Sequence, residues 1–87
     1  MGQNKGKLVS QTGLVQTGKG KLMHIYVASP ANTSNLQISD DDGTGSKTTV
    51  YQVDGTTNNG HIMLELPFYK GIYATVSGSA TYNVIFQ

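Results

Sequence analysis

Two histidines, His24 and His61, and a run of aspartates at Asp40, Asp41 and Asp42 are the residues whose types could hold a metal or move a proton. A protein zinc site takes at least three ligands from nitrogen, sulfur or carboxylate. No carboxylate stands at ligand spacing beside either histidine, and cysteine is absent. The histidines therefore read as ordinary sheet-surface side chains, and no metal site is expected. The Asp40-Asp41-Asp42-Gly43 run offers oxygen donors of the kind calcium takes, but an EF-hand loop spaces its acids by one residue and closes on a glutamate six residues past the glycine. Thr49 stands there, so the run reads as a solvated turn, the setting Asp and Gly favour. Nucleophilic catalysis fares no better: Ser77-Gly78-Ser79 belongs to a turn and is not a G-x-S-x-G elbow between strand and helix. Gly18-Lys19-Gly20-Lys21 lacks the spacing and the helix of a phosphate loop, and the Asn32-Thr33-Ser34 sequon needs a secretory route that no apolar leader provides. With acid, base and nucleophile nowhere gathered, the chain is expected not to be an enzyme and to use no cofactor.

The elements that would position any site are set by a composition of 87 residues, 37% hydrophobic, 8% aromatic and only 13% charged. One domain fits that length, with a core small enough that partners commonly complete it. A surface made of Thr, Ser, Asn, Gln and Gly suits packing against other proteins, because few ions need desolvating. The formal net charge of +1 is too weak a field to draw a phosphate backbone, so nucleic acid is not an expected partner. No apolar run reaches the roughly 20 residues of a membrane-spanning helix, which points to a protein made in the cytosol and bound to no membrane.

Helical spacing with a cap is found in no window; alternation is found in many. Residues 21–28 form the strongest strand, with Met23, Ile25 and Val27 on one face and Leu22, His24 and Tyr26 on the other. Bulk on both faces predicts a central position, or a second face against a neighbouring subunit. Further strands are expected at 35–39, with Leu36 and Ile38 inward, at 47–53, and at 61–66, with Ile62, Leu64 and Leu66 inward and Pro67 as the stop. Asp54-Gly55 and Asn59-Gly60 both offer a turn to close a hairpin between the last two. The stretch from Phe68 to the end reads as a second hairpin about Gly78, with Ile72, Ala74 and Val76 answering Tyr82, Val84 and Phe86. Upstream, residues 1–12 read as a flexible N-terminal arm, and residues 13–87 as the folded domain. Leu8-Val9-Ser10-Gln11-Thr12-Gly13 is nearly repeated as Leu14-Val15-Gln16-Thr17-Gly18, two short extended pieces too brief for a solenoid. The fold class expected is all-β: a single antiparallel β-sandwich or small jelly roll of seven or eight short strands, with little or no helix.

Strand order and turn placement resemble the small all-β capsid decoration, or cement, proteins of tailed bacteriophages. The likeness runs through Gly20-Lys21-Leu22 into Met23-His24-Ile25-Tyr26-Val27, through Leu36-Gln37-Ile38-Ser39-Asp40 into the Asp/Gly turn, and through Ile62-Met63-Leu64-Glu65-Leu66-Pro67-Phe68 followed by residues 71–81. It implies a virion structural protein on the outer surface of an icosahedral head, a homotrimer bridging neighbouring copies of the major capsid protein. The arm is then a clamp whose removal leaves the fold intact. Lys5, Lys7 and Leu8 of the arm, with Tyr26, Tyr51, Tyr69 and Tyr73, are the expected partner-binding residues, and Tyr82 is a further candidate because tyrosine buries large area beside a polar tip. The competing expectation is a receptor- or carbohydrate-binding module of a tail fibre or tip, in which exposed tyrosines stack on sugars and Asp40 to Asp42 bind hydroxyls.

Overall fold

A computed structural model describes residues 4–45, 48–56 and 62–87. Eight strands follow one another: β1 (Lys5–Val9), β2 (Gly13–Thr17), β3 (Gly20–Ser29), β4 (Asn35–Asp40), β5 (Thr49–Asp54), β6 (Ile62–Phe68), β7 (Gly71–Ser77) and β8 (Thr81–Phe86). They form two four-stranded antiparallel sheets, sheet I in the order β1-β8-β3-β6 and sheet II in the order β2-β7-β4-β5. Read along the chain, the first strand pairs with the last, β2 with β7, β3 with β6 and β4 with β5. The pairs β3–β8 and β4–β7 then join successive turns of the roll. This is an extended hairpin wrapped into a jelly roll.

Alternation supplies the core. Leu22, Ile25 and Val27 of β3 and Tyr82, Val84 and Phe86 of β8 face Leu36 and Ile38 of β4, Val53 of β5 and Ile72 and Ala74 of β7, all buried. Each such aliphatic side chain contributes about 1.5–3 kcal/mol relative to exposure. β3 is central in its sheet, as its two bulky faces predict. Its parity differs from the simple pattern because the register shifts between Leu22 and His24. The bulge puts one extra residue into β3, so Leu22 is buried where strict alternation would have buried Met23.

Neither expected hairpin forms. β7 lies in sheet II and β8 in sheet I, so residues 78–80 carry the chain between sheets. Gly78 does adopt the expected positive φ, at 83°, but serves a corner. The Ser34 hydroxyl oxygen accepts the N–H groups of Ser79 (3.1 Å) and Ala80 (3.2 Å) there. A Cβ on Gly78 would fall 2.3 Å from that oxygen. β5 and β6 are likewise in different sheets; Lys47, Asn59-Gly60 and His61 lie outside the described residues. The hairpin that does form joins β4 to β5 through the Asp/Gly turn.

Pro67 does not stop β6, which runs on to Phe68. Lys21, opposite Pro67, directs both its N–H and its C=O to Gln87, at 3.1 and 2.9 Å. The Lys21–Pro67 pair is therefore a non-hydrogen-bonded one, and the N–H that proline lacks would have pointed away from the sheet. The expected arm over residues 1–12 also needs correcting. From Lys5 to Val9 it is an edge strand of the sandwich, in register with β8 from Lys5–Phe86 to Val9–Tyr82. Its lysines and its glycine hid a ladder that side-chain patterning does not report.

Candidate partner-binding surface

The aspartates are structural. Asp40, at the end of β4, accepts the backbone N–H groups of Tyr69 (3.1 Å), Lys70 (2.8 Å) and Gly71 (3.3 Å), closing the β6–β7 turn from 30 residues away. Burial pushes its carboxyl up, but the N–H groups of Lys70, Tyr69 and Gly71 and the Lys70 ammonium outweigh that and hold it below the usual carboxylate value. Asp41 is buried, not solvated, and accepts the N–H groups of Gly43 (2.6 Å) and Gly45 (3.3 Å). Asp42 is lowered by hydrogen bonds from the Thr44 hydroxyl and N–H, and Asp54 by the same two groups of Thr56. The run is a set of side-chain-braced turns, each carboxylate satisfied by donors of its own chain.

The outer face of sheet I is different in character. In-register pairing places His24 beside Ile85 and Tyr26 beside Asn83 on adjacent strands, and Leu8 beside Asn83 on the other side. Tyr26, His24, Asn83 and Ile85 are half-buried, and Leu8 is 64% exposed. The Asn83 amide donates to the Tyr26 hydroxyl, which fixes the ring against the sheet. A Cβ on Gly6 would meet Ile85 Cδ1 at 3.3 Å, so the isoleucine lies across the glycine. The result is a face of aliphatic, aromatic and amide groups, with Glu65 of β6 among its exposed residues.

The seven residues expected to bind a partner do not converge. Leu8 and Tyr26 share the face just described. Lys5 and Lys7 are exposed on β1, Lys7 donating to the Leu14 carbonyl at 3.5 Å. Tyr69 is 67% exposed on the β6–β7 turn, at the mouth of an open cleft of about 410 Å³ shared with Lys19, Lys21, Pro67 and Phe68. Tyr73 stands on the outer face of sheet II, paired with Leu14 on one side and Ser39 on the other. Tyr51 packs against the core from within. Tyr82 is fully buried, so it cannot face a partner. Its hydroxyl has no hydrogen-bond partner among the described residues, and burial, then the Asp54 carboxylate, push its pKa up. Gly55 makes room for that hydroxyl: a Cβ there would sit 2.0 Å from it.

Ile85 and Asn83 were missed as surface residues. Their signal was present in the sequence, since they alternate with Tyr82, Val84 and Phe86, but it became meaningful only once β8 was known to be central in sheet I. The outer face of sheet II carries the in-register row Thr75–Gln37–Gln52, polar and uncharged. No protein-family model, curated protein or solved structure matches the chain.

Proposed function

We propose that this chain is a virion structural protein of a tailed phage, a capsid decoration or cement protein that lies on the head and bridges neighbouring copies of the major capsid protein. The observation that carries the reading is the outer face of sheet I, where exposed Leu8 stands in register beside Asn83, with Tyr26 and Ile85 half-buried around it. Such a face loses little on desolvation and gains by apolar burial. Covering a few hundred Å² per copy at about 25 cal/mol per Å² gives modest affinity for one contact. Symmetric copies on a lattice raise the effective concentration and make the assembly slow to come apart. The jelly-roll topology and the resemblance in strand order agree with this reading, and a homotrimer is its expected form.

Cosedimentation with shells assembled without the protein tests it. The chain is expected to pellet with shells, and Leu8→Glu or Leu8→Lys, at a side chain 64% exposed, to stay in the supernatant while melting like the parent. Absence of pelleting, or equal occupancy by the variants, would sink the proposal. The runner-up, a carbohydrate-binding module, draws support from the uncharged Thr75–Gln37–Gln52 row beside Tyr73. Asp40 and Asp41 are not available to it, being held by backbone donors. Reproducible saccharide binding on a glycan array, lost on Gln37→Ala, would favour this second reading.

A further inference from the structure

We propose that β1 is exchangeable: the rim of sheet I along β8 is a strand-accepting site, and in an assembled form its occupant is the β1 strand of a second copy of this chain. β1 is attached to β8 over five paired positions. It gives the core a single side chain, Val9, while Lys5, Gly6, Lys7 and Leu8 are all exposed. The attachment is thus mainly a main-chain ladder, which the same strand from another copy makes equally well.

The connection that holds β1 to its own body is the second observation. The connections β2–β3, β3–β4, β4–β5 and β7–β8 each contain, among the described residues, one of positive φ: Gly18 at 84°, Thr33 at 57°, Gly43 at 96° and Gly78 at 83°. Residues 10–12, Ser-Gln-Thr, include none, and of the residue types that favour bends they carry only the weaker hydroxyl residues, with no Gly, Pro, Asn or Asp. An open cleft of about 270 Å³ is lined by residues 7–15 themselves, so the two arms of the bend enclose space between them. Thr12 is pinned to β7: its hydroxyl accepts the Val76 N–H at 2.9 Å and donates to the Val76 carbonyl at 3.4 Å. The pivot is therefore Ser10 and Gln11.

Straightening the pivot turns β1 and β2 into one extended run. Val9 and Val15, both directed to the interior, are six positions apart and stay on one face of such a run. The near-repeat acquires a meaning here, as the same extended unit placed on each side of a hinge. Exchange keeps the β1–β8 ladder and the Val9 contact and removes a weakly specified bend, so the balance is set by how close a second copy stands. Nothing in this depends on the capsid reading; failure to bind shells would leave it standing.

The chain has no cysteine, so the double variant Leu8→Cys/Asn83→Cys, at positions opposed in the β1–β8 register, reports exchange directly. Refolded under oxidising conditions and run on a non-reducing denaturing gel, it is expected to give covalent dimers or closed multimers, in a share that rises with concentration. Adding Ser10→Asn/Gln11→Gly, a turn dipeptide at the pivot, is expected to return it to the internally bridged monomer. Monomer alone at every concentration overturns the proposal. Light scattering on the cysteine-free chain decides the case in which no bridge forms. A mass above one chain, lowered to one chain by Ser10→Asn/Gln11→Gly, supports exchange; a single-chain mass for the parent, or a mass the variant leaves unchanged, overturns it.

Discussion

Replacing Asp40 by alanine removes the acceptor of three backbone N–H groups, at 2.8 to 3.3 Å, that form the β6–β7 turn. Hydrogen bonds to a charged group contribute about 1.5–3 kcal/mol each when dry. Asp40 is half-buried, and water can replace part of what is lost, so the whole set is placed at about 1.5–2 kcal/mol, the upper range of a helix N-cap. For a domain of this size that lowers Tm by about 6–16 °C. The pH dependence has a definite sign. The folded carboxyl titrates below its ordinary value of 3.8, so its contribution is complete above the unfolded pKa and is lost as pH falls through the folded one. Thermal melts of parent and Asp40→Ala should therefore differ fully at neutral pH and converge in acid. Asp40→Asn keeps an acceptor oxygen without the charge and should fall between them, with a gap to the parent that also closes in acid. Equal melting at neutral pH, or a gap that persists or widens in acid, would refute the reasoning.

Tyr82→Phe removes a buried hydroxyl without a partner among the described residues, and urea unfolding should show stability unchanged or raised by up to about 1 kcal/mol; a loss above that would reveal a bond to the hydroxyl. Gly78→Ala meets both a φ of 83° and the Ser34 side chain, and should cost about 1–3 kcal/mol by the same measurement. Leu8→Glu, at a side chain 64% exposed, should move stability by no more than about 0.5 kcal/mol, so that any effect on assembly is separable from folding.

The strands were legible because period-two alternation is written residue by residue: Leu36 and Ile38, or Tyr82, Val84 and Phe86, announce an inward face without reference to any partner. Their assignment to sheets was not. A glycine of positive φ closes a hairpin and turns a corner between sheets equally well, and Gly78 does the second; only Ser34, more than forty residues upstream, distinguishes the two. β1 was hidden for a related reason, since Lys5, Gly6 and Lys7 leave no hydrophobic trace and only Val9 at its end is buried. Asp40 looked like part of a local turn because its partners, in the β6–β7 turn and at the start of β7, stand about 30 residues away. Tyr82 could not be told from Tyr26 by type. What separates them is parity on two strands of sheet I, which follows from register.

The proline in the outer strand of sheet I has a consequence for crowding. A newcomer aligning with β6 would find no donor at Pro67, and a ring in the way of its own backbone. Endless stacking through that sheet requires each molecule to be receptive at two opposite borders, and one border is blunted. Edge-to-edge pairing through β6 is therefore disfavoured, and with it the open-ended stacking of sheet I on sheet I.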